Sequence, residues 1–394
     1  MRRSDLAPAV AARLERLPPP FEAHYGVLPT PPPEHAVALG TMTAAHGRAM
    51  AALATVATLA RQYDDPYVIS RLLARQEAVS SSSIEGTNST LDELLSVEED
   101  AGDTQRNATL QVRDYALILD RLVPRAAAEG PAVFTNDLMT ELHRGVMQGD
   151  PDYRDPPGGL RDRVVWIGGH HIARSTFNPP PPDRVPACLA DTIDYLQSQG
   201  MQVMTQSIVA RMAIAHAHFE AVHPFRDGNG RVGRLLLPLM MAADGQIPLY
   251  LSPFIEAHKQ AYYDSLRAAQ QRLEWEVAIG FMADAIAGTV DELIATRAAL
   301  TTVAAAWRTR RRYRRHSAAE RSLALLPNYP VVTVRRLADR LGVSQPAAWT
   351  AIGQLVDAGV LQEATGFSRN RVFVAREVLV ILNRPFGETP ILPV

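Results

Sequence analysis

Cysteine is almost missing: Cys188 stands alone among 394 residues, which excludes an internal disulfide and a cysteine-rich metal centre. Lysine is as scarce. Lys259 is the only one, so arginine supplies nearly all positive charge, a bias of genome composition rather than of one site. Aromatic residues make up 6%, hydrophobic residues 47%, and the net charge is −2, an ordinary globular balance. No stretch approaches the roughly 18 continuous apolar residues of a membrane span. The N-terminal Met1-Arg2-Arg3-Ser4-Asp5-Leu6 lacks the apolar segment of a secretory signal. A cytoplasmic chain with no membrane association, long enough for two or three domains, is expected.

Charge is unevenly spread. Residues 301–384 hold 14 arginines against 5 acidic residues, which leaves the remainder acidic. The C-terminal part therefore meets something acidic or balances the rest of its own chain. Six of these arginines fall in residues 308–315, beside Trp307 and Tyr313. That is either a footprint for nucleic acid or a solvated helix linking two domains.

Apolar spacing is helical over most of the chain. Residues 18–33 are proline-rich and without period, an extended arm. Helices are expected over 34–59, 67–79, 107–122 and 135–146, with Thr135 and Asp137 as caps. Ser80 to Ser83 read as loop by composition, and Gly86 as a helix stop. Residues 163–167, followed by Gly168 and Gly169, predict a short hairpin strand. Helical patterns resume over 185–197, 205–222, 231–243, 256–273 and 277–309. Residues 333–341, the turn Gly342-Val343 and residues 344–358 closed by Gly359 predict a helix-turn-helix. Residues 360–375, centred on Gly366 and Asn370, predict a wing, so the region is expected to be a winged helix.

Residues 223–234 carry the densest chemistry: His-Pro-Phe-Arg-Asp-Gly-Asn-Gly-Arg-Val-Gly-Arg. Gly228-Asn229-Gly230 precedes a helix start, where free N–H groups and the helix dipole attract an anion. Arg231 and Arg234 are three apart, on one helix face, and their forks suit phosphate oxygens. Asp227 offers a hard oxygen for Mg²⁺, and His223 a base near neutral pH. A plain helix-loop-helix turn with surface arginines explains any one of these residues but not the ordered set. His216 and His218, two apart on one helix, do not face each other and read as buried structural residues. His170 and His171 read as exposed.

This string resembles the Fic family signature, His-x-Phe-x-Asp/Glu-Gly-Asn-x-Arg-x-x-Arg, at every defined position. Trp166-Ile167-Gly168-Gly169, followed by prolines, resembles the family's substrate-docking flap, so the resemblance covers roughly residues 20–300. It implies a mainly α Fic-type helical bundle with a β-hairpin flap, and transfer of AMP from ATP to a protein hydroxyl. His223 would take the hydroxyl's proton, and Asp227 would hold Mg²⁺. Asn229 and the amides around Gly228 and Gly230 would steady the α-phosphate, with Arg231 and Arg234 on the β- and γ-phosphates. Arg226 is counted with this nucleotide-binding set. Tyr262 and Tyr263 align with the family's adenine pocket; a core-and-surface aromatic pair is the alternative.

Ser81-x-x-x-Glu85-Gly86 resembles the family's inhibitory motif, placed upstream of the catalytic loop. The resemblance implies that Glu85 pairs with Arg234 and keeps the γ-phosphate from seating. A related glutamate assists AMP removal in some relatives, so de-AMPylation stays open. The expected layout is an N-terminal helical arm with the inhibitory motif (1–105), a Fic core (106–300), a basic linker helix (301–322) and the winged helix (323–384). Expected partners are a target Ser, Thr or Tyr hydroxyl, the protein itself, and DNA or protein at the winged helix; a homodimer is expected. The alternatives are a nucleotide-sensing DNA-binding regulator, or a Fic enzyme with another nucleotide donor.

Overall fold

The computed structural model describes residues 1–61, 70–99, 107–366 and 371–392. The helix start expected at Tyr67, the boundary expected between residues 105 and 106, and Asn370 of the expected wing lie outside them. Among the described residues no helix is long and apolar enough to cross a membrane.

The chain opens with one helical turn, α1 (Pro8–Ala11), and an antiparallel pair, β1 (Leu14–Arg16) with β2 (Tyr25–Val27). This corrects the extended arm expected over residues 18–33. The prolines make the connection, and the short segments flanking them, which keep their N–H groups, form the ladder. Val10 and Val27 pack with Phe177 and Ala221, and the Val27 N–H donates to the Asn178 carbonyl at 2.9 Å. The arm is thereby tied to the segment behind the expected flap.

Helices α2 (Thr43–Arg61), α3 (Ser70–Ile84), α4 (Leu91–Glu98), α5 (Asn107–Glu129) and α6 (Asn136–Met147) follow. The serine run is helical, not loop. Ser80, Ser81 and Ser82 are buried in α3, where their small side chains allow close approach to the core. The helix stops where Gly86 adopts φ +88°, a left-handed turn that favours glycine. Thr90 and Glu93 form a capping box at α4, and the Thr135 hydroxyl accepts the Leu138 N–H at α6.

After α7 (Val185–Leu196) and the single turn α8 (Gln202–Thr205) come the two central helices, α9 (Ile208–Val222) and α10 (Asn229–Ala243). Every residue of α9 is buried, as expected of a helix that is apolar nearly all round. The continuous helix expected over 256–273 breaks at His258 into α11 (Ser252–Ala257) and α12 (Lys259–Arg272). Next, α13 (Trp275–Arg310) is 36 residues long and so spans about 54 Å.

The remaining elements are α14 (Ala318–Leu325), β3 (Val331–Thr333), α15 (Val334–Leu341), α16 (Gln345–Asp357), β4 (Gln362–Glu363), β5 (Val372–Val374) and α17 (Arg376–Leu382). The strands form one antiparallel sheet in the order β3-β5-β4. Helices α15 and α16, capped by Thr333 and Ser344, lie where the helix-turn-helix was expected.

The strand expected over residues 163–167 is not formed. A single antiparallel bridge joins Ile167 to Phe177. Gly168 and Gly169, at φ +71° and +75°, turn the chain too sharply for a ladder to extend.

Two apolar cores result. The larger surrounds α9 and α10. The smaller joins the end of α13 to the C-terminal helices and sheet, and takes in Leu72 of α3 with Leu91 and Leu95 of α4. Helix α3 therefore runs between both. Arg71 lies over the Tyr329 ring at 4.6 Å, and Gln76 donates to the Leu382 carbonyl at 2.8 Å. Arg340 pairs with Glu99, and Arg384 with Glu292. Part of the C-terminal arginine excess thus balances the acidic remainder of the chain.

Candidate active site

The loop between α9 and α10 is held from within. His223 caps α9 in a left-handed conformation, φ +47°. Phe225 is fully buried and stacks on His143 of α6 at 3.9 Å between ring centres, the planes 5° apart. Asn229 brackets Phe225, accepting its N–H and donating to its carbonyl, both at 2.8 Å. Both polar ends of Asn229 are thereby committed to the loop. Gly228 turns at φ +76° and α10 starts at Asn229, so the first N–H groups of α10 have no partner within the helix. Asp227 is exposed, and its Oδ1 accepts the Gly228 N–H at 2.6 Å.

His143 holds the loop from behind. Its Nδ1 accepts the Gly158 N–H at 2.7 Å, which leaves the ring proton on Nε2 to donate to the Asp227 carbonyl at 3.1 Å. Burial pushes its imidazole down to about 4.

Burial, and then the charge of Arg161, push the His223 imidazole down to about 4. The ring is therefore neutral at physiological pH, the form that accepts a proton. Its buried Nδ1 has no hydrogen-bond partner, and Glu220 Oε2 lies 3.9 Å away. Burial likewise pushes the Glu220 carboxyl up to about 8, against the pull of Arg234.

Arg234 is fully buried and already engaged. Its Nε donates to the Ser81 hydroxyl at 2.9 Å, and one Nη donates to the Ser81 carbonyl at 2.9 Å and to Glu85 Oε1 at 2.8 Å. Residues 81 and 85 sit one helical turn apart, so the end of α3 offers one guanidinium three acceptors. Burial opposes the charge on Glu85, but Arg234 outweighs it and holds the carboxyl below its ordinary range. Lys259 donates to the Ile84 carbonyl at 2.8 Å and closes the same helix end. The Glu85 carboxylate rests over Gly230, where an added Cβ would collide with it.

A cavity of about 420 Å³ opens here, lined by Glu85, Glu220, His223, Gly230 and Arg234, by Ile167 and Phe177, and by Tyr262, Tyr263 and Gln270 of α12. Tyr262 is buried with its hydroxyl on His216 Nε2 at 2.8 Å, while Tyr263 is partly exposed at the rim. Arg226 points elsewhere and pairs with Asp155 at 2.9 Å. Arg231 is buried against the end of α6, donating to the Val146 carbonyl at 3.3 Å. His216 and His218 are buried structural residues, and His170 and His171 are exposed.

Sequence reasoning did not single out Arg161, His143, Glu220 or Gln270. The first two act on backbone atoms, which leave no pattern in side-chain spacing. Glu220 and Gln270 sit within helices whose apolar period draws attention to their neighbours.

Two family descriptions match the chain: Fic/DOC family over residues 133–241 and Fic/DOC family N-terminal over residues 43–120. The first contains the whole loop from His223 to Arg234, and the second contains Ser81 and Glu85. These two regions of the chain are thus similar to the Fic/DOC family. The chain is 38% identical over 133 residues to the protein adenylyltransferase fic-1 of Caenorhabditis briggsae, covering 34% of this chain and 24% of that one. It is 27% identical over 202 residues to a "probable protein adenylyltransferase" of Aquifex aeolicus, covering 50% of this chain and 56% of the relative. The chain thus spans about a quarter and about half of these relatives. A Fic family protein from Desulfovibrio desulfuricans has a similar fold, with TM-score 0.53 and 21% identity over 87% of this chain and 98% of that one.

Proposed function

We propose that the chain is a Fic enzyme that transfers AMP from ATP to a Ser, Thr or Tyr hydroxyl of a protein, itself included, and rests with Glu85 on Arg234. The observation that carries this reading is the convergence on one cavity of a neutral His223, the open start of α10 and an Arg234 already clasped by a carboxylate. The relatives named protein adenylyltransferase support the same reaction.

The hydroxyl oxygen attacks the α-phosphorus while His223 takes its proton. The bond from that phosphorus to the bridging oxygen breaks, and pyrophosphate leaves. Amides at the start of α10 hydrogen-bond the α-phosphate oxygens as charge develops, and Arg234, once free of Glu85, binds the distal phosphates. Asp227 suits Mg²⁺. It is exposed, and among the described residues no three His, Cys, Asp or Glu side chains gather into a protein-only cage, so phosphate oxygens would complete the donor set. When bound, the ion supplies charge neutralisation on the phosphates. Tyr263 and Gln270 at the cavity rim suit a nucleobase.

Glu85→Gly is expected to raise auto-labelling by radiolabelled ATP about tenfold, the factor that about 1.4 kcal/mol represents. Labelling no higher than the parent sinks the resting-state assignment. His223→Ala in the Glu85→Gly background should remove the AMP adduct seen by mass spectrometry. An undiminished adduct overturns the role of His223.

A further inference from the structure

We propose that Arg161 is the positioning residue of His223, a staple that binds both ends of the flap segment to the catalytic end of α9. The proposal rests on the reading of His223 as the base. Arg161 lies between α6 and the flap and is 5% exposed. Its Nε donates to the His223 carbonyl at 2.8 Å. One Nη donates to the Pro180 carbonyl at 2.7 Å and the Val222 carbonyl at 3.4 Å, and the other to the Arg163 carbonyl at 3.2 Å. Its backbone N–H donates to the Pro224 carbonyl at 3.0 Å.

Every side-chain bond of Arg161 thus ends on a backbone carbonyl. Among the described residues it has no ion pair, and a buried cation without a counter-ion is costly unless other groups satisfy it. What satisfies it is geometry around the base. Val222 and His223 supply carbonyls that the end of α9 leaves without helical partners, and a cation is favoured at that end of the helix dipole. His223 is a non-glycine residue in the left-handed region, a conformation that persists only when its surroundings enforce it. Arg163 and Pro180 belong to the two ends of the flap segment. One planar fork therefore fixes both the base and the wall opposite it, and a lysine, with a single ammonium, cannot span the four acceptors.

The guanidinium also sets the charge around the ring. Facing His223 are the backbone of Glu220 from its own helix and the Glu85 carboxylate from the end of α3, both favouring protonation, while Arg231 and Arg234 of α10 act on that same carboxylate. Burial, and with it the charge of Arg161, outweighs both and holds the ring in its deprotonated form.

The test uses the full chain in the Glu85→Gly background, with labelling rate measured against pH and ATP concentration for Arg161→Lys and Arg161→Met. Both should lose kcat, on the order of 10²-fold as a misplacement of about 1 Å costs. KM for ATP should change less than about threefold, because Arg161 makes no contact with the phosphate-facing residues. The Lys variant keeps the charge and should keep the acid limb of the pH profile. The Met variant should move that limb to higher pH. Parental kcat in either variant overturns the staple, and so does a Met variant that loses activity with its acid limb unmoved. Should Arg161→Met fail to fold by thermal melting, the kcat of the Lys variant decides alone. His223→Ala separates the two readings. If it still labels, the base assignment fails; if it is silent while the Arg161 variants match the parent, only the staple fails.

Discussion

Ser81, Glu85 and Arg234 show how much one guanidinium can organise. Because Arg234 holds the Glu85 carboxyl below its ordinary range, the pair contributes fully above the unfolded carboxyl value of about 4.3 and is lost as pH falls through the lower folded value. Glu85 keeps 35% exposure, so solvent screens the pair and its worth is modest. The melting temperature of the parent should therefore fall more steeply than that of Glu85→Gly between about pH 5 and about pH 3, measured by thermal denaturation. Parallel curves would show that the ion pair adds nothing to the fold. At this scale the motif residues were legible because each role needs a distinctive side chain. Arg161 and His143 were not, since their partners are carbonyls and amides that every residue carries. Arg226 shows the opposite failure: it lies inside the motif, but the geometry turns it to Asp155.

Helix α3 is the element that composition misreads most. Four serines suggest loop because their hydroxyls compete for backbone bonds, yet tertiary partners take those hydroxyls up. Ser81 serves Arg234, and Ser83 serves Glu256. One turn earlier, Glu77 is fully buried and accepts the Ser252 N–H at 2.7 Å, the Ser252 hydroxyl at 2.6 Å and the Tyr115 hydroxyl at 3.2 Å. Glu77→Ala would leave those buried donors unmatched at a cost of about 2–4 kcal/mol. It should lower the melting temperature and raise auto-labelling together, as the end of α3 loosens from Arg234. Lower stability with parental labelling would separate the anchor from the latch. The i to i+4 spacing of Ser81 and Glu85 was the sequence signal for helix here. The flap offered a misleading one, because β-branched residues beside two glycines suggest a ladder that the glycine angles prevent.

At the scale of the whole molecule, α13 carries the chain from the larger core into the smaller. Trp307 near its end is fully buried and donates to Glu377 at 2.6 Å. Trp307→Ala should cost about 3–5 kcal/mol, read as a drop in denaturation midpoint; a change below about 1 kcal/mol would mean that the smaller core contributes little. The helical character of the chain was legible from its 3.6-residue period, and the charge asymmetry hinted at an internal balance. Which acids answer which arginines was not, because Arg340 and Glu99 meet only through the fold.

The position of α3 has one more consequence. Its final turn occupies Arg234, while its first turns carry Leu72 into the smaller core and Gln76 to Leu382. A nucleotide that displaces Glu85 and a change that unseats the C-terminal helices would therefore act on the same rod. Where one eases the other, thermodynamic reciprocity requires the same factor in return. The helix is a wall shared by two rooms, and neither can be rebuilt without the other registering it.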